Sequence, residues 1–226
     1  MAIKAILIDV DNTILDFNKS ADAAMKTTAE EFSIIFPDNY FEVFLKINYF
    51  LWHELENGNI VKQDIYDYRW NMIFRELGID ADGPAFEDVF RKQMRCTAIE
   101  VDGAREILSY LSEKYDIYTA SNASRLQQEQ RLRTTGFDKY IKGMFTSEEI
   151  GFQKPSKEFF ALCCEELYPI KKSEIIVIGD SINADIIGAK NFGLKTIWYN
   201  FDNTVYSSYD FTDYYVNDLR DIKNIL

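Results

Sequence analysis

Two aspartates stand two positions apart where an apolar run ends: residues 3–8 lead into Asp9-Val10-Asp11-Asn12-Thr13. A short apolar run of this kind becomes a buried central strand, so both carboxylates leave the sheet at its carboxyl end and can turn toward one crevice. A calcium loop of the EF-hand type would need Gly at 14 and Glu at 20, where the chain has Ile14 and Ser20. Taken alone, the pair is weak evidence and reads more readily as an ordinary solvated turn.

Further along, Ile178-Gly179-Asp180-Ser181 repeats apolar strand, sharp turn and acid, and Asp185 follows five residues later. Between the two acidic turns lie Tyr118-Thr119-Ala120-Ser121-Asn122, a hydroxyl and an amide at another strand end, and Gln153-Lys154-Pro155. Each has a plain alternative. Asp180 suits a helix N-cap, Ser121 suits the cap of a helix beginning near 124, and Lys154 suits a surface charge.

The elements that must position these groups follow from hydrophobic period. Helix and strand alternate after residue 102: helix 103–114, strand 115–120, helix 124–135, strand 143–146, helix 156–167, strand 174–178, helix 182–192, strand 194–199, and a short strand closing at Val216. That alternation predicts an α/β fold, doubly wound around a mostly parallel, Rossmann-like sheet, with Asp9, Ser121 and Asp180 all at strand carboxyl ends. From 18 to 95 the pattern changes to four helical stretches, 18–36, 40–56, 63–77 and 85–95, broken at Pro37-Asp38-Asn39, Asn57-Gly58-Asn59 and Gly78 to Pro84. The expected organisation is a catalytic core of 1–16 and 99–226 with a helical-bundle cap, 17–98, inserted between. Tyr40, Phe41, Phe44, Tyr49, Phe50, Trp52, Tyr66, Tyr68, Trp70 and Phe74 make the insertion aromatic, and most are expected in its core.

Composition narrows the partners. With 25 Lys+Arg against 37 Asp+Glu, the net charge of −12 repels nucleic acid and anionic membrane surfaces. An anionic substrate therefore needs local charge or a metal to hold it. Cys96, Cys163 and Cys164 lack metal spacing and fit a reducing cytoplasm, with the neighbouring pair reading as helix filler. Nowhere do eighteen apolar residues run together, so no membrane segment is expected. The lone histidine, His53, reads as an ordinary helix residue.

The order decides the reading: Asp9-Val10-Asp11, then Ser121-Asn122, then Lys154-Pro155, then Gly179-Asp180 with Asp185. Along nearly its whole length the chain resembles the haloacid dehalogenase superfamily in its phosphatase branch. Leu126-Gln127-Gln128 through Arg131-Leu132, Thr135-Gly136, Ile197-Trp198-Tyr199-Asn200, and Leu51-Trp52-His53-Glu54 to Ile60 resemble its pyrimidine 5'-nucleotidase members.

The resemblance implies that Asp9 attacks phosphorus to form an aspartyl-phosphate and that Asp11 acts as acid for the leaving alkoxide and base for water. It also implies Mg²⁺ held by Asp9, Asp180 and the backbone carbonyl of Asp11, with Asp185 behind them steadying water ligands or Lys154. Ser121, the Asn122 backbone and Lys154 would hold the phosphoryl oxygens. Electrostatics supports this: four aspartates in one crevice repel a phosphate dianion unless a divalent ion and Lys154 offset them. An oxygen-only set without histidine or thiolate favours Mg²⁺ over zinc.

The expected substrate is a small phosphorylated metabolite, a nucleoside 5'-monophosphate with pyrimidines favoured, and the expected protein a monomer or small homo-oligomer. A phosphosugar phosphatase is the runner-up, since these motifs report the phosphoryl group alone. A phosphomutase has no feature demanding it, a dehalogenase has no use for Asp11, and a silent binding module would be expected to have lost Asp9 or Asp180.

Overall fold

The computed structural model describes residues 2–226. The chain divides into two compact units, Met1–Phe17 with Ala98–Leu226, and Asn18–Thr97.

The first unit is built on a six-stranded sheet: β1 (Ala5–Ile8), β2 (Asp116–Ser121), β3 (Gly143–Thr146), β4 (Ile175–Gly179), β5 (Lys195–Tyr199) and β6 (Tyr214–Val216). Every pairing is parallel, and the spatial order is β3-β2-β1-β4-β5-β6. Successive side chains of a strand face opposite sides, and β1 shows it. Ile6 and Ile8 enter one core with Ile117, Ile176, Ile178 and Leu108, while Ala5 and Leu7 enter another with Val177, Phe159, Phe160 and Ala189. Both faces of the sheet are thus covered, the doubly wound α/β arrangement expected from the alternation.

Because β1 lies between β2 and β4, with Ile8 opposite both Thr119 and Ile178, the three carboxyl ends align at the point where strand order reverses. Such a point is where open α/β sheets bind ligands.

The second unit is helical: α1 (Phe17–Glu31), α2 (Tyr40–Glu56), α3 (Lys62–Leu77) and α4 (Gly83–Cys96). Trp70 is its hub, with the rings of Phe86, Phe90, Phe74 and Phe44 at 4.2, 5.2, 5.5 and 6.0 Å. Buried among them, Arg69 donates to both oxygens of Glu87 at 3.1 and 2.6 Å and to Asn48 Oδ1 at 2.8 Å. Two expectations need correction. Of the ten aromatics, only Phe44, Trp70 and Phe74 are fully buried, and Tyr49, Phe50 and Tyr68 are exposed. The buried stripe of α2 runs through 43, 44, 47, 48, 51 and 55, which leaves positions 49 and 50 on another face. The first helix ends at Glu31 instead of Phe36, because Ser33 takes a left-handed conformation (φ 54°) and Ile34 N caps back to Ala29 O. Phe36 reaches the aromatic core from the connecting segment, stacked on Tyr40 at 4.9 Å.

The helices that follow in the first unit are α5 (Ala104–Ser112), α6 (Arg125–Thr135), α7 (Ser147–Ile150), α8 (Lys157–Glu166) and α9 (Gly188–Phe192). The helix expected over 182–192 opens instead with a π-helical turn, Ile182–Ile187. No helix among the described residues is long and apolar enough to cross a membrane.

Candidate active site

Asp9 extends β1 by one rung, its N–H donating to Ile178 O at 2.8 Å. The chain then coils back tightly. Ile14 and Leu15 N–H groups both donate to Val10 O, Asn12 adopts φ 58°, and Asn12 Oδ1 accepts from Phe17 N at 3.1 Å. Val10, Ile14 and Leu15 are completely buried and anchor the coil. The loop therefore presents Asp9 and Asp11 from a rigid base.

Lys154 comes from a separate loop fixed by a reciprocal amide pair. Its N–H donates to Asn122 Oδ1 and its carbonyl accepts from Asn122 Nδ2, each at 2.9 Å. The side chain, only 3% exposed, donates through Nζ to Asp9 Oδ1 (2.6 Å), Asp185 Oδ1 (2.6 Å) and Ala120 O (2.7 Å). It is no surface charge. Neither is Asp180 a cap: Ser181 caps the π-helical turn by accepting from Ala184 N, leaving the Asp180 carboxylate to accept from Thr13 Oγ1 at 3.2 Å. Ser124, not Ser121, caps α6. A π-helical turn is uncommon and tends to mark functional positions, and this one carries Asp185. Gly179 makes room for that residue, since a Cβ there would lie 2.3 Å from Asp185 Oδ2.

Carboxylate oxygens of Asp9, Asp180 and Asp185 come within 4.8 Å of one another. Burial pushes Asp9 up to about 7 against the pull of Lys154, with Asp185 and Asp11 adding to the rise. Asp180 is raised well above the usual carboxylate range by burial and then by Asp9 and Asp185. Burial works against the charge on Lys154, but Asp185 and Asp9 outweigh it and hold the ammonium protonated well beyond its ordinary range. Three carboxylates against one ammonium leave 1 − 3 = −2 when all ionise, the charge that one divalent cation cancels. A cluster offering only hard oxygens fits Mg²⁺.

Asp11 is balanced separately. Arg131, fully buried, donates through Nη1 to Asp11 Oδ1, and Gln128 Nε2 donates to Asp11 Oδ2 at 2.6 Å. Ser121, 3% exposed, accepts on Oγ from Ala123 N (3.1 Å) and Gln128 Nε2 (3.0 Å), which leaves its hydroxyl hydrogen to donate. The structure thus gathers Asp9, Lys154 and Asp185 by direct contact, brings Asp180 alongside them, and joins Asp11 to Ser121 through Gln128. Asn122 contributes by fixing the Lys154 loop. Sequence spacing did not point to Thr13, Gln128 and Arg131 as partners of these groups. Nor did it foresee Trp198, whose Nε1 donates to Asp180 O at 2.8 Å. His53 is exposed on α2 in the other unit.

A family model described as haloacid dehalogenase-like hydrolase matches residues 3–193. The chain belongs to that family. Other haloacid dehalogenase-like hydrolases align with it over most or all of their length. Pyrimidine 5'-nucleotidase PynA of Streptococcus pneumoniae is 32% identical, over 100% of this chain and 98% of the relative. Pyrimidine 5'-nucleotidase YjjG of Escherichia coli is 26% identical, over 86% of this chain and 85% of its own length. The magnesium-bound crystal structure of the HAD-hydrolase YfnB from Bacillus subtilis superposes with a TM-score of 0.93 at 31% identity, covering 100% of this chain and 99% of that one.

Proposed function

We propose that this hydrolase is a Mg²⁺-dependent phosphatase that cleaves nucleoside 5'-monophosphates, pyrimidines foremost, through an aspartyl-phosphate on Asp9. The observation that carries the chemistry is Asp9 itself, buried at the end of β1, paired with Lys154 at 2.6 Å and beside Asp180. The substrate class rests on the two relatives named as pyrimidine 5'-nucleotidases, one of them aligned along the whole chain.

Phosphate monoesters resist hydrolysis so strongly that the enzyme's work is mostly positioning and charge neutralisation. Asp9, Asp180 and the Asp11 carbonyl would hold Mg²⁺, and the ion would neutralise phosphoryl oxygens there. Asp185, already bonded to Lys154, holds that ammonium in place. Ser121 donates its free hydroxyl hydrogen, the Asn122 backbone donates its N–H, and Lys154 donates its charge, all to phosphoryl oxygens.

An Asp9 carboxylate oxygen attacks phosphorus as the bond to the 5'-oxygen breaks, and Asp11 supplies the proton that oxygen takes up. Water then attacks phosphorus, Asp11 takes its proton, and the Asp9 carboxylate leaves. The products are a nucleoside and inorganic phosphate.

The test is kcat/KM for UMP, dUMP and dTMP against purine monophosphates and a panel of phosphosugars, in one Mg²⁺ buffer. Pyrimidine monophosphates are expected to lead. A phosphosugar ahead by tenfold would overturn the nucleotide assignment and leave the phosphatase chemistry standing.

A further inference from the structure

Helix α6 follows directly from the end of β2, and its Ser124 cap fixes where the first turn begins. Of its eleven residues, the buried ones are Gln128, Arg131 and Leu132. Two of the three are polar, one turn apart on the same face. A helix lying on a sheet normally buries apolar side chains there, so this face is built for something other than packing.

The guanidinium of Arg131 makes the point sharply. It is fully buried, yet its hydrogen bonds run from Nη1 alone, to Asp11 Oδ1 and to Gln128 Oε1 at 3.2 Å. Nε and Nη2 are buried and meet no partner among the described residues. Desolvating a cation while leaving donors unmatched costs stability, and an apolar side chain of the same length would be the more stable choice. What the arginine does instead is touch Asp11.

Gln128 is used completely. Its Nε2 donates to Asp11 Oδ2 at 2.6 Å and to Ser121 Oγ at 3.0 Å, while Oε1 accepts from Arg131. This set fixes the amide orientation, because the flipped amide would set its oxygen against the Asp11 carboxylate and its NH₂ against the guanidinium. Both Asp11 oxygens are therefore held by α6, and the same amide ties that carboxylate to the hydroxyl proposed to grip the phosphoryl group.

We infer that Arg131 and Gln128 are positioning residues for Asp11, forming an α6 clamp that sets the acid–base carboxylate at a fixed reach from the phosphoryl site through Ser121. The inference rests on the acid–base role proposed for Asp11. A carboxyl serving a leaving oxygen and then a water has to be placed to within a fraction of an ångström, and a loop residue a quarter exposed does not hold that position unaided. Neither clamp residue need touch substrate.

The experiment measures release of the leaving group in a single turnover, with enzyme in excess and Mg²⁺ saturating. It compares UMP, whose leaving alkoxide needs a proton, with nitrophenyl phosphate, whose leaving group does not. Asp11→Asn is the reference, expected to slow uridine release far more than nitrophenol release. Arg131→Met should slow uridine release at least tenfold and nitrophenol release less than threefold. Added to Asp11→Asn, it should change uridine release less than twofold, because its target is already gone. Gln128→Met should show the same leaving-group signature with weaker saturation for both esters, through Ser121. It also carries the test if Arg131→Met does not fold.

Equal losses with both esters, or losses that multiply fully with Asp11→Asn, would overturn the clamp. If Asp11→Asn itself fails to distinguish the esters, the acid–base reading falls and the clamp with it. That outcome is read from the single variant alone.

Discussion

Replacing Lys154 by methionine removes an ammonium that makes three contacts of 2.6–2.7 Å inside a cluster almost closed to water. Asp9 and Asp185 are then left buried without their cation. Breaking a buried ion pair by deleting one partner costs about 3–5 kcal/mol. At roughly 2–4 °C per kcal/mol for a chain of this size, the melting temperature should fall by about 6–20 °C in EDTA.

The direction of the pH dependence follows from Asp9. It is pushed up to about 7 with Lys154 pulling it down, so in the variant it rises further. Its folded-state value then lies above its unfolded one. The penalty for the charged form is fully felt above the folded value and is relieved as pH falls, because the folded protein takes up a proton that the unfolded chain does not. The deficit should therefore be larger at pH 8.5 than at pH 6. Mg²⁺ at a hundredfold its dissociation constant should restore about 2.7 kcal/mol, while turnover stays at least about a hundredfold down. Urea unfolding at the two pH values, with and without Mg²⁺, measures all of this. A deficit under 1 kcal/mol, or one that grows toward acid, would refute the reasoning.

Asp9→Asn should abolish turnover with the fold intact, and incubation with radiolabelled substrate should leave no label on the protein; more than a few per cent of wild-type rate, deamidation excluded, contradicts a covalent Asp9. Activity should vanish in EDTA, return with Mg²⁺ and be inhibited by Ca²⁺, whose larger and looser shell misplaces the nucleophile; full activity with Ca²⁺ alone would count against the proposed centre. In the helical unit, Arg69→Met should cost about 3–5 kcal/mol by stranding Glu87. Burial already raises Glu87, so that loss should shrink in acid, as chemical unfolding at pH 5 and pH 8 would show. Cys163 is buried, and that burial raises its thiol well above the ordinary range, whereas Cys96 is exposed. Mass spectrometry of the native protein after alkylation at pH 8 should find Cys96 modified and Cys163 untouched until denaturant is added.

The sheet was legible because buried parallel strands write themselves as short apolar runs, and the runs ending at Ile8 and Ile178 locate β1 and β4 almost to the residue. The helix expected to reach Phe36 misled because apolar spacing reports contact with a core, and Phe36, half-buried, stacks on Tyr40 from a non-helical segment as well as it could from a helix. Period-based reading also assumes 3.6 residues per turn, so the π-helical turn at 182–187 looked like ordinary helix. The partners of Asp11 were harder for a different reason. They lie 117 and 120 residues away in sequence, and no local pattern announces them. A signal was nevertheless present: residues 125–135 offer only Leu126 and Leu132 as apolar side chains, and Leu126 is exposed in the fold. A helix that must cover a sheet with so little apolar surface has to bury polar groups, which then have to find partners.

The contact between Gly179 and Asp185 has a bearing on how this site can vary. The volume that a methyl group would need at residue 179 is already filled by the carboxylate of residue 185. The two positions share one space, so they cannot drift independently. An alanine at 179 would have to evict the group that steadies Lys154, and a larger side chain at 185 would have to push back the end of β4. A shorter residue at 185 would open that space, and with Asp185 in place a Cβ at 179 forces it to move. A residue with no side chain thereby carries information about a charged one, and a chain in which 179 is no longer glycine should be suspected of having rebuilt the support of its lysine.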